Sequence, residues 1–254
     1  MVDQRVKAYL NLHAVLPNLM DLVALDPVSR DIVSGWKRSI LFVVPGGPAV
    51  QVRFRDGVCV VTPGVHLRSS IILGFVSSAH LNRMIDGGAV PPIVLRGIAS
   101  VLFLHKHFPK ITDRLEYYLK PTPELLQDPE YLELNTLLTL MTAARASAVL
   151  SRWDSKSQKS AARIRDGVVQ LEVGTDGPRV HLESLGGVLT AHPGAHASPS
   201  ARMHMKDVVT ANRFLSGQVD PFTAIAAGDV RISGQTSMLD NLSLVLDRVE
   251  HYLA

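Results

Sequence analysis

Few residues in this chain could do chemistry, and their spacing serves it poorly. His192 and His196 flank Pro193-Gly194-Ala195, and His105-Lys106-His107 supplies two more imidazoles. Zinc needs three or four ligands in a fixed geometry. A His-x-x-x-His pair on a Pro-Gly turn does not share one helical face, and no third ligand accompanies it. These histidines therefore read as turn or surface residues, with no metal expected. Cys59 is the single cysteine and lies in an apolar run. A reactive thiol needs an electropositive, partly exposed setting, so Cys59 reads as buried and inert. Acid–base neighbours recur at Asp113-Arg114 and Asp247-Arg248, and they read as solvated charges or structural ion pairs. There is no nucleophile elbow, no phosphate loop with its lysine, and no G-x-G-x-x-G after a strand. The expectation is a non-catalytic protein with no cofactor.

The elements that carry these residues come twice. A shift of 130 lays T-P-G-V-H (62–66) on H-P-G-A-H (192–196) and pairs Asn82-Arg83 with Asn212-Arg213, Gly87 with Gly217, and Pro91 with Pro221. Near the ends the shift becomes 134, laying D-R-L-E-Y-Y-L (113–119) on D-R-V-E-H-Y-L (247–253). Two repeats of domain size point to a duplicated domain rather than a solenoid. The expected boundaries are 1–120 for a divergent first copy, 121–130 for a proline-rich linker, and 131–254 for the second copy.

Composition agrees with a filled globular chain. Of 254 residues, 46% are hydrophobic and 19% charged, and the formal charge is +3. No Lys/Arg cluster supports nucleic-acid binding, although a pI near 9.1 suits transient contact with an anionic membrane surface. A single cysteine excludes an intrachain disulfide framework. The start M-V-D-Q-R-V-K-A-Y-L lacks a basic region followed by an apolar core. No apolar run of about 20 residues is expected, because Asp21 and Arg96 interrupt the longest stretches. The end H-Y-L-A is not an S-K-L-type address. These readings make a cytoplasmic protein the expectation.

Along the chain, residues 3–24 predict a helix kinked or broken at Pro17, and Pro27 opens a second helical segment through Trp36. Strands are predicted at 40–44, 50–54, 58–61 and around 67–76, joined by Gly/Pro turns. A helix follows at 79–86, then a weak strand near 93–95 and two short helices across 97–119. The second copy repeats this from a long helix at 131–153. Its last strands include Ala201 to Lys206, where Ala201, Met203 and Met205 alternate with Arg202, His204 and Lys206, as on a half-buried sheet. The closing stretch has Gly217-x-x-x-Pro221-x-x-Ala224-x-x-x-Gly228-x-Val230-x-Ile232-x-Gly234. It then runs into a helix with Met238, Leu242, Val245, Val249 and Tyr252 on one stripe.

That pattern resembles the C-terminal half of the sterol carrier protein-2 (SCP2-like) lipid-binding domain. The resemblance covers most of 131–254 and reaches 1–120 mainly through the internal repeat. It implies an α+β fold of two tandem SCP2-like domains, each an antiparallel-rich curved sheet of about five strands packed with helices. It also implies an apolar tunnel without catalytic residues that binds a fatty acyl chain, sterol or phospholipid, with transfer as a further expectation. In the second copy the expected lining is Met203, Met205, Phe214, Phe222, Ile225, Leu242 and Leu246. In the first it is Leu73, Phe75 and Met84. The alternative is an interaction or scaffold protein with closed cavities, accessory to a lipid- or quinone-modifying enzyme.

The repeat also assigns faces. At a shift of 130, Gln170 and Glu172, read as outward, correspond to Ile40 and Phe42, and Arg202 and Lys206 correspond to Ile72 and Val76. Four apolar residues on an outer sheet face are expected to be covered by the second domain, a homodimer partner or an enzyme partner.

Overall fold

Asp3 accepts hydrogen bonds from the backbone N–H groups of Arg5 and Val6 and so starts α1 (Gln4–Leu10). Pro17 has no N–H to give, and the helix widens into a π turn over Asn11–Val15 before restarting as α2 (Asn18–Leu25). This computed structural model describes residues 2–253, and every count below refers to these. Met1 and Ala254, the outer bounds of the two expected domains, lie outside the described residues.

The first unit continues with α3 (Pro27–Val33), β1 (Lys37–Val43), β2 (Ala49–Arg55), β3 (Val58–Pro63), β4 (Ile71–Gly74) and α4 (Ser78–Ile85). It ends with β5 (Ile93–Arg96), a 3₁₀ turn at Ile98–Ser100, α5 (Val101–Lys106) and α6 (Phe108–Leu119). The second has a 3₁₀ turn at Leu125–Gln127, α7 (Pro129–Trp153), α8 (Ser155–Ala161), β6 (Gly167–Val173), β7 (Arg179–Leu185) and β8 (Val188–Pro193). It closes with β9 (Ala201–Met205), α9 (Val208–Leu215), α10 (Pro221–Ala226), β10 (Val230–Gly234) and α11 (Thr236–Leu253). Contacts divide the chain into Met1–Lys120 and Pro121–Ala254. The segment expected as linker already holds a 3₁₀ turn and the start of α7.

Each unit is α+β, with one five-stranded sheet and helices against its inner face. The strand orders β3-β2-β1-β4-β5 and β8-β7-β6-β9-β10 are the same topology. Three junctions in each sheet are antiparallel, while β1/β4 and β6/β9 are parallel. A parallel pair needs a crossover, supplied by residues 64–70 and 194–200. Both sheets exit their last strand through a glycine in the left-handed region, Gly97 (φ 85°) and Gly234 (φ 79°). A Cβ at either position would lie on a backbone carbonyl oxygen, that of Ser70 or Ser200.

The ladders correct the assignment of faces. Ile40 is level with Val52 and Ile71, whereas Val169 is level with Leu182 and Ala201. The neighbouring strands keep the 130 offset, but β1 and β6 correspond at 129. A one-residue slip exchanges the faces of a strand. Ile40 and Phe42 therefore point inward, at 0% and 4% exposure, and do not form an outer patch. Phe42 stacks on Phe75 (6.5 Å) and meets Phe108 (6.3 Å), both of its own unit. Gln170 does stand on the outer face, level with His181 and Arg202, but is covered there: its amide donates to the Val180 carbonyl, and its Oε1 accepts the N–H of His196 in the crossover. Ile72 remains half-buried on the outer face, and Val76, just past β4, is exposed.

One expectation about helices also changes. Residues 4–25 form a 22-residue helical run long and apolar enough to cross a membrane by length and composition. Its apolar residues Val6, Leu10, Leu12, Leu19 and Leu22 are buried within the structure, as in a core helix.

Candidate functional site

Asp26 and Asp154 organise the charged groups of the two units. Each caps a helix, α3 or α8, and accepts from the serine three residues on, Ser29 or Ser157. Arg114 grips Asp26 with two hydrogen bonds, 2.8 and 3.0 Å, and also reaches Tyr118. Arg248 lies 3.4 Å from Asp154, and Tyr252 donates to the same carboxylate at 2.8 Å. Burial opposes ionisation of Asp154, but the bonds from Ser157, Arg248 and Tyr252 outweigh it and hold the carboxyl at about 2. Burial and the facing carboxylate push the Tyr252 phenol up to about 12. These groups tie the last helix of each unit to its first helices. The arginines of the two Asp-Arg pairs are thus structural, and their true partners lie far upstream. The signal for those partners was D-x-x-S at 26–29 and 154–157, a capping spacing passed over in favour of the adjacent aspartates.

The histidines gather, but without a ligand set. His181, a cross-strand neighbour of His192, joins the two residues singled out in the turn. Ring centroids lie 5.1 Å apart for His181–His192 and 5.3 Å for His181–His196. His181 Nδ1 is engaged by the Gly194 carbonyl, and His192 Nε2 stands 3.7 Å from Glu183, too far for a hydrogen bond. Among the described residues no group of three or more His, Cys, Asp or Glu side chains is placed to hold a metal. His107 stacks on Phe103 at the end of α5. Burial, with the Asp21 charge second, pushes the Cys59 thiol up to about 12.

The apolar residues are where the units differ. In the first, Leu73 and Phe75 are core, at 3% and 2% exposure, while Met84 is half-buried. In the second, Met205 and Leu242 are core, whereas Met203, Phe214, Ile232 and Leu246 pack against it only half-buried. Met203 and Ile232 sit side by side on the inner face, at the β9/β10 edge. Next to β10 in the chain comes α10, six residues long, started by Pro221 and capped by Asp220. It buries only Ala224; Phe222 is 83% exposed and Ile225 is also exposed. Phe222 and Ile225, expected in the lining, instead face outward, because α10 turns its small residue to the core. A recess of about 20 Å³ opens beside α10, lined by Thr210, Arg213, Phe214, Val219, Ala224 and Asp229. That is room for one water, so this seam is closed to a chain as it stands.

No family model matches the chain, and no curated protein matches it. Solved structures similar to it include sterol carrier protein domains. The UbiJ-SCP2 ubiquinone synthesis protein is 15% identical, covering 44% of this chain and 95% of its own, with a TM-score of 0.34. Sterol carrier protein domain 2 of Helicoverpa armigera is 13% identical, over 44% of this chain and 89% of its own, with a TM-score of 0.36. A stereoselective inverting sec-alkylsulfatase from Pseudomonas sp. is 14% identical, over 65% of this chain and 31% of its own, with a TM-score of 0.28.

Proposed function

We propose that the second unit binds one extended apolar molecule, a fatty acyl chain, a sterol or a phospholipid tail, without catalysing its conversion. The observation that carries this reading is the half-covered inner margin at Met203, Phe214, Ile232 and Leu246. The six-residue α10, next to β10 in the chain, contributes a single buried alanine to the same core, and that alanine lines a small recess with Phe214. Displacing α10 would uncover a trough of methionine and aromatic side chains that adapt to variable shapes. Each buried methylene contributes about 0.8 kcal/mol. A long acyl chain therefore has gross burial energy to match the ~8 kcal/mol of micromolar binding. Transfer between carriers or membranes, and a cytoplasmic setting, belong to the same proposal.

Titration with a fluorescent fatty acid tests it. Saturable binding at one site per chain is expected, displaced by unlabelled fatty acid and lost in Met203→Glu. Leu73→Ala, at the corresponding position of the closed first unit, should leave the stoichiometry unchanged. Absence of displaceable binding would remove the carrier reading. A second reading concerns the first unit alone: its filled core, with Ile40, Phe42, Leu73 and Phe75 all buried, favours a docking rather than a ligand-holding role.

A further inference from the structure

The outer faces of the two sheets are built alike and furnished in opposite ways. On the second, Glu172 lies 3.4 Å from Arg202 and 3.5 Å from His204, and Arg231 and Ser233 continue a polar surface. On the first, the ladder-matched positions are Val43 for Glu172, Ile72 for Arg202, Gly74 for His204 and Ile93 for Arg231. Leu95, opposite a register shift in β4, lies over Gly74, where no side chain competes with it. Leu95 is 61% exposed and Ile93 46%. Further across the same face, Val58 is exposed and Val60 half-buried.

Charge completes the contrast. The five strands β1 to β5 contain no Asp or Glu. Lys37, Arg53 and Arg55 stand on this outer face; the crossover 64–70 runs over its middle, where Gln51 donates to Ser69 and Leu41 is buried, and exposes Arg68 on top. Asp56, in the β2–β3 turn, lies 3.7 Å from Lys37 and 3.4 Å from Arg55. It balances one cation, so the face stays positive.

We propose that this outer face of the first sheet docks on an anionic lipid surface. Exposed aliphatic side chains next to arginines suit the boundary of acyl chains and negative headgroups, where each cation contributes about 1 kcal/mol. The same cations repel a second copy of this face, which argues for lipid over a face-to-face homodimer. The proposal concerns a different unit and a different surface from the apolar trough, and it stands whether or not the second unit holds a ligand.

Co-sedimentation of the full chain with vesicles tests it, using phosphatidylcholine alone and phosphatidylcholine mixed with phosphatidylglycerol. Binding is expected to the mixed vesicles only, and raised salt should reverse it. Arg53→Glu should weaken binding about fivefold or more, and the double variant Ile93→Ser/Leu95→Ser at least about tenfold. Arg231→Glu makes the same charge change on the second sheet and should have no effect. Melting curves of all variants confirm that each is folded. Three results would overturn the proposal: no binding of the parent protein to mixed vesicles, equal losses in Arg53→Glu and Arg231→Glu, or a solution dimer that the double serine variant makes monomeric.

Discussion

Replacing Asp154 with Asn keeps the size and the capping ability of the residue and removes only its charge. In the native protein the carboxyl is held at about 2 against an ordinary 3.8. That displacement corresponds to about 2 kcal/mol of stability. Solvent screening takes little from it, because the Asp154 side chain is only 6% exposed. The sign follows from the direction. A carboxyl whose folded pKa is depressed contributes its stability in full above the unfolded value and loses it as pH falls through the folded one. At pH 7, Asp154→Asn should therefore lose about 2 kcal/mol, or on the order of 8 °C of melting temperature for a unit of this size. Between pH 4 and about 2 the gap to the parent should close, because the parent carboxylate is itself being protonated. Asp26, also held below the usual range by Arg114 and Ser29 against its burial, titrates in both proteins and drops out of the difference. Thermal melts across pH 2–7 read this directly. Equal midpoints at pH 7, or a gap as wide at pH 2 as at pH 7, would refute the network as a source of stability.

Other expected outcomes follow from burial and backbone geometry. Phe42→Ala should cost about 3–5 kcal/mol as a core deletion while the sedimentation mass stays unchanged; a changed mass with an unchanged melt would restore the interface reading. Gly234→Ala should cost about 2–3 kcal/mol, since its positive φ and the Ser200 carbonyl both oppose a Cβ. Gly46→Ala, also at positive φ but in open space, should cost only about 1 kcal/mol, as denaturant midpoints will show. Cys59 in the native protein should react with Ellman's reagent at pH 8 at least about a hundredfold more slowly than a free thiol, and normally once unfolded. His192→Gln/His196→Gln should leave metal content by mass spectrometry unchanged, and stoichiometric zinc lost in this variant would contradict the reading.

Much of the fold was legible because glycine and proline punctuate it twice at nearly constant spacing. The strands, the short first-unit β5, the helix after Pro221 and the long α11 all follow from that punctuation and from apolar periodicity. The register of β1 was not legible. A constant offset carried through turns says nothing about a single residue gained or lost between α3 and β1, yet one residue exchanges every face. So Ile40 and Phe42 were placed outside, and the apolar outer face was found through Val43, Ile93 and Leu95 instead. Of the candidate lining, Met203, Phe214 and Leu246 are half-buried. Phe222 was drawn inward by its hydrophobicity, although in so short a helix only Ala224 is buried. Asp26 and Asp154 were missed because their arginines stand next to other aspartates in sequence, and pairing across roughly 90 residues leaves no local trace.

Native mass spectrometry of the gently purified full chain puts the carrier reading to its most direct test. The account predicts a fraction of the protein carrying one apolar adduct per chain, with the mass of a fatty acid, sterol or phospholipid. The adduct should be absent from Met203→Glu and kept in Arg53→Glu, whose change lies on the other unit. A bare chain mass in every preparation, still bare after incubation with excess fatty acid, would contradict it.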